Sequence, residues 1–158
     1  MKVIAQLFLA AAILITPAAH AYTMPEHVIA ESTSSGGFAP FALPVETGVR
    51  IYDVGRVEQF EIYRDGHQTS HALASLTADR IKAILNNVKD MADVNLKKED
   101  PTAPMCTDAP GTDYLALNGE GKVVALEGTA GCLRLVREDG KQTVVPQVLK
   151  GLEVLTWL

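Results

Sequence analysis

The stretch Val57-Glu58-Gln59-Phe60-Glu61-Ile62-Tyr63-Arg64-Asp65-Gly66-His67-Gln68-Thr69-Ser70-His71-Ala72-Leu73 decides the reading of the fold. Its first half alternates, with Phe60 and Ile62 on one face and Gln59 and Glu61 on the other. That is the period of a strand with one face turned inward. Asp65-Gly66 comes next, two residues that tolerate the positive φ of a tight hairpin turn. A further strand over His67–Leu73 completes the hairpin. The period then changes. Ile81, Ile84, Leu85, Val88 and Met91 recur at helical spacing and form one apolar stripe, which predicts a helix over 78–91. Thr77 stands where an N-cap hydroxyl accepts a backbone N–H, Leu76 and Ile81 are placed as a hydrophobic staple, and Asp79 suits the positive end of the helix dipole.

Strand signals continue on both sides of this core. Residues 26–33 suit a first strand, and Val49 and Ile51 alternate with Arg50 and Tyr52. Downstream, residues 93–111 form a polar connection containing Pro101, Pro104 and Pro110. Asp113–Leu117 and Lys122–Glu127 flank Asn118-Gly119-Glu120-Gly121 as a second hairpin, with Gly111 and Gly128 side by side at its open end. Leu133–Val136 extends another strand to the Asp139-Gly140 turn. Pro146 then opens a terminal helix with Val148, Leu149, Leu152 and Leu155 on one stripe. The expectation is a single α+β domain over 22–158. It has an antiparallel sheet of about four to six strands, a central helix (78–91) and a C-terminal helix packed on one face, with one disulfide.

The 158 residues are 47% hydrophobic and 21% charged, with a net charge of −5 and two cysteines. These values exclude collagen-like, disulfide-dense and disordered classes. The acidic balance argues against nucleic acid as a partner, because phosphates require a basic footprint. Residues 1–21 read as a signal peptide: Lys2 precedes an apolar run from Val3 to Ile15, Pro17 breaks it, and Ala19-His20-Ala21 supplies a small-residue cleavage site. The run is short for a membrane span and no second one occurs, so no membrane insertion is expected after cleavage. The expected destination is the periplasm or the medium. Cleavage leaves 137 of the 158 residues and, with Lys2 gone, a net charge of −6. In an oxidising compartment Cys106 and Cys132 are expected to pair. Such a bridge closes a loop of about 27 residues and stabilises by roughly 3–4 kcal/mol.

Groups that converge on chemistry are not evident. His67 and His71 have the i, i+4 spacing of a helical metal pair, but their segment begins with a turn and has strand character. No Gly-x-Ser-x-Gly elbow, phosphate loop or dinucleotide fingerprint occurs, and the carboxylates are scattered. The reading is therefore non-enzymatic, with no catalytic residue, no metal and no cofactor. A small metal-dependent enzyme using His67 and His71 is the alternative that elemental analysis tests.

Ser34–Pro44 departs from an ordinary polar connection. Gly36-Gly37 opens backbone conformations closed to other residues, Pro40 and Pro44 stiffen the rest of the segment, and Phe38, Phe41 and Leu43 are apolar. Two placements are open: an exposed wedge that enters a partner's cleft, or a bulged turn whose phenylalanines tuck into the core.

The run Ser35-Gly36-Gly37-Phe38-Ala39 resembles the Ser-Gly-Gly-Phe-Ala-Gly signature of emfourin-like proteins, small inhibitors of thermolysin-type metalloproteases. The helix over 78–91, Tyr114 after Pro110, and the leucine spacing of Leu149, Leu152 and Leu155 extend the similarity toward the C-terminus. Pro40 stands where the family has glycine, and the Val45–Gly66 stretch is longer. Export with a disulfide is likewise a departure from the simple family members. The resemblance implies a protein-binding domain, with a metalloprotease as the concrete partner and Gly36, Gly37, Phe38, Pro40 and Phe41 as its contact residues. An immunity or lysozyme-inhibitor-like protein acting through its acidic surface is the other binding alternative. Its association would weaken with salt.

Overall fold

The computed structural model describes residues 23–37, 40, 43–99, 102 and 109–150. The described residues form eight strands, of which all but β5 fall on segments read as strands from the sequence: β1 (Val28–Ser35), β2 (Glu46–Tyr52), β3 (Arg56–Ile62), β4 (Gln68–Ser75), β5 (Leu96–Lys98), β6 (Gly111–Leu117), β7 (Val123–Ala130) and β8 (Leu133–Arg137). Two helices interrupt them, α1 (Ala78–Val88) between β4 and β5, and α2 (Gln147–Lys150) after β8. All eight strands join one sheet in the order β4-β3-β2-β1-β6-β7-β8-β5, and each neighbouring pair runs antiparallel.

This corrects the expected α+β architecture of four to six strands with a central helix. The structure is mostly sheet, and its helices are accessory. The physical reason lies in the stripe of α1. The helix ends at Val88 rather than Met91, Val88 is its one buried residue, and Leu85 remains 36% exposed. Ile81 and Ile84 pack against the core without being enclosed by it. The core is instead built by the strands: Ala30, Val49, Ile51, Val57, Ala116, Val124 and Leu126 pack together, capped by Val88, Met91, Val145 and Leu149. Thr77 takes the extended N-cap conformation but makes no side-chain cap bond, and its carbonyl accepts the Ile81 N–H. Of the C-terminal helix, Gln147–Lys150 is described, and Leu152, Leu155 and Trp157 lie outside the described residues.

Two local packings position the sheet. Gly48 faces Phe60 across the β2–β3 ladder, and a Cβ at Gly48 would collide with the Ser32 carbonyl oxygen and lie 2.5 Å from the Phe60 ring. The missing side chain lets Phe60 lie flat, and the Arg50 guanidinium covers it at 3.8 Å while bonding Glu31. At the other side of the sheet Arg137 is buried with its charge. It donates to the carbonyls of Ala125 and Ala92 and makes a two-point bond to Asp139. Among the described residues no buried side-chain nitrogen or oxygen lacks a partner, as expected of a polar interior that is stable.

The second hairpin forms with a bulge at Tyr114/Leu115, so Gly128 stands opposite Asp113 rather than beside Gly111. Cys132 lies in the β7–β8 turn and is disulfide-bonded; no bridge joins two described residues, and Cys106 lies outside them. Residues 1–21, read as the signal peptide, are also outside the described residues. No described helix is long and apolar enough to cross a membrane.

Candidate functional site

The strand registers gather several connections at one end of the sheet. Ser35, the last residue of β1, pairs with Glu46 at the start of β2 and with Gly111 at the start of β6. Glu46 in turn faces Ile62, where β3 runs into the β3–β4 turn. Ala130 and Leu133 pair at the end of β7, next to Gly131-Cys132, and Glu99 leaves β5 bonded to Arg134 at the same level. The β1–β2 loop, the β3–β4 turn, the β7–β8 turn and the β5–β6 connection therefore share one end. The β1–β2 loop leaves from the middle of the sheet, because β1 has three strands on one side and four on the other.

That central loop opens on Gly36 and Gly37, with φ of +94° and +77°. Two consecutive left-handed residues turn the chain sharply off the end of β1, a path that costs other residues about 1–2 kcal/mol each. Both glycines are exposed, and so is Pro40. The Leu43 N–H donates to the Pro40 carbonyl at 2.9 Å, closing a turn that leaves the Leu43 side chain 53% exposed. Val45 N–H then bonds the Ile62 carbonyl at 2.8 Å and returns the chain to the ladder. Of the five contact residues read from the sequence, the structure thus places Gly36, Gly37 and Pro40 on an exposed loop. Phe38 and Phe41 lie outside the described residues.

The base of the loop is anchored by partly buried polar groups. Burial raises the Glu46 carboxyl above its ordinary range, with the Glu31 charge adding to the effect, and burial alone raises Asp113. Beside them, Arg50 pairs with Glu31, which also accepts the Thr33 hydroxyl at 3.0 Å. On the next strands Tyr52 donates to Glu58 at 2.6 Å, and Arg56 stacks over the Tyr52 ring at 4.0 Å. Burial and the Glu58 bond both push the Tyr52 phenol up. These groups satisfy one another and hold β1, β2 and β3 in register; they do not converge on a cleft.

The β3–β4 turn is the neighbour that sequence reading does not connect with the loop. Its Tyr63 ring lies 5.7 Å from the His67 ring, and Tyr63 donates to Glu61 at 2.9 Å. No local signal announces this proximity, which arises only from the pairing of Glu46 with Ile62. His67 precedes β4 and His71 lies within it, opposite Gln59. Four residues of strand separate their backbones by about 13 Å, against roughly 6 Å on a helix, so the helical i, i+4 ligand geometry is not formed. Among the described residues no group of three or more His, Cys, Asp or Glu side chains is arranged to hold a metal.

No family model, no curated protein and no solved structure matches this chain.

Proposed function

We propose that the protein is a non-enzymatic recognition domain, exported from the cytoplasm, which binds another protein through the loop end of its sheet. The observation that supports this is the β1–β2 loop. It leaves the centre of an eight-stranded sheet on two left-handed glycines, is exposed at each of Gly36, Gly37, Pro40 and Leu43, and is bonded back to β3 at its far side. The two glycines and the Val45–Ile62 bond fix where the loop leaves and rejoins the sheet, which lowers the conformational entropy lost at its ends when a partner closes on it. Its apolar residues Phe38, Phe41 and Leu43 have the chemistry of anchors that fill pockets.

The partner class carried by the Ser35-Gly36-Gly37-Phe38-Ala39 run is a thermolysin-type metalloprotease, with the loop entering the substrate cleft as an inhibitor. The test is affinity capture from the envelope and culture fluid of the source organism, with wild type beside a Phe38→Ala, Phe41→Ala variant. Capture of a protease by wild type and its loss in a variant with unchanged thermal stability supports the reading. Equal capture by a variant that merely melts earlier assigns the phenylalanines to the core and refutes it.

A further inference from the structure

The two edges of the sheet are built differently. β5 at one edge is three residues long, and two of them are lysines. Shortness and lysine are the devices by which proteins keep an edge from pairing with another chain. The opposite edge is β4, Gln68-Thr69-Ser70-His71-Ala72-Leu73-Ala74-Ser75, eight residues that are all exposed. It contains no Lys, Arg, Asp, Glu or Pro, and among the described strands it pairs with β3 alone. Its one irregularity is a bulge at Leu73, between the pairs Glu58 with Ala72 and Val57 with Ala74. Gln68–Ala72 is therefore a regular, uncharged and uncovered edge.

We infer that β4 is a homodimerisation edge, on which a second copy of this chain adds its own β4 antiparallel across a two-fold axis. The ladder defines the register. Tyr63 N–H bonds the His67 carbonyl at 2.8 Å, which makes that a hydrogen-bonded pair. Alternation then directs the backbone groups of Thr69 and His71 toward β3, and those of Gln68, Ser70 and Ala72 outward. Centring the two-fold on Ser70 sets Ser70 against Ser70 and Gln68 against Ala72, an exchange of about six hydrogen bonds. Thr69 then lies opposite His71, so no like charges meet. A two-fold interface requires such self-complementarity, and this segment reads the same way from either copy. β5, with its adjacent lysines, would oppose charge to charge in the same role.

The test is sedimentation or light scattering of the purified protein from low-micromolar to submillimolar concentration. The expected result is a mass that rises from one chain to two. Ser70→Ala should leave this unchanged, whereas Ser70→Lys, which sets two ammonium groups face to face, should weaken the dimer at least about tenfold. Circular dichroism at low concentration should match wild type in both variants, and the melting temperature should shift only by the change at the 3.3 Å bond from the Ser70 hydroxyl to Glu58. Should Ser70→Lys not fold, amide exchange in wild type provides a direct readout. The Ser70 and Ala72 amides should slow with concentration while those of Thr69 and His71 stay constant. A protein that remains monomeric throughout, a Ser70→Lys variant that dimerises as wild type does, or outward amides indifferent to concentration would each overturn the assignment.

Discussion

Replacing Asp139 by alanine leaves Arg137 as a charge enclosed by protein. The Arg137 side chain is 0% exposed, and its guanidinium bonds Asp139 at 2.7 and 3.1 Å. The two carbonyls it also reaches, of Ala125 and Ala92, orient it but carry no charge to balance it. Removing one partner of a buried pair typically costs about 3–5 kcal/mol. Asp139 itself is 22% exposed, so water takes over part of its role and the lower end, about 3 kcal/mol, is the expected loss. A pH signature accompanies it. The hydrogen bonds from Arg137 lower the Asp139 carboxyl from 3.8 to about 2. Because the folded value lies below the unfolded one, this stabilisation is present above about pH 4 and is lost as pH falls through 2. Urea unfolding of wild type and Asp139→Ala should therefore differ by about 3 kcal/mol at neutral pH, and the gap should narrow in acid. A difference below about 0.5 kcal/mol at pH 7, or a gap independent of pH, refutes the reasoning.

Gly48→Ala should destabilise by about 3 kcal/mol in the same assay, because the added Cβ meets the fixed Ser32 carbonyl and the Phe60 ring. His27 bonds Asp53 at 2.9 Å, and that bond raises its titration above 6.5. Its contribution is present below about pH 6.5 and lost as pH rises through the elevated folded value, and NMR titration should show Asp53→Asn bringing the midpoint back toward 6.5. Gly36→Ala combined with Gly37→Ala should cost about 2 kcal/mol of stability or more, through strain at two positive-φ positions, while weakening partner capture as the loop is re-aimed.

Much of the sheet is legible in the sequence because strands announce themselves by period two and hairpins by Asp-Gly and Asn-Gly turns. The hairpin at Asp65-Gly66 and the one at Asn118–Gly121 both form. Leu96–Lys98 is not legible, since three residues in a polar connection have no period and become a strand only by pairing with β8. The stripe of α1 identifies a helix but not its place at the periphery; amphipathicity tells which side faces protein, and not how much protein is there. Arg137 is invisible for a related reason, as its partners at Ala92 and Ala125 are distant in sequence. The loop glycines are legible as such, and both adopt positive φ. Their position at the centre of a loop-bearing end is not, because it depends on the whole set of strand registers at once.

The most direct test is titration of thermolysin-type proteases with the purified protein, beside the Phe38→Ala, Phe41→Ala variant. Inhibition by wild type at micromolar concentration or below, reduced at least about thirtyfold by the double substitution, is the predicted result for two pocket-filling anchors. No inhibition of several such enzymes at micromolar wild type, or equal inhibition by the variant, would contradict it.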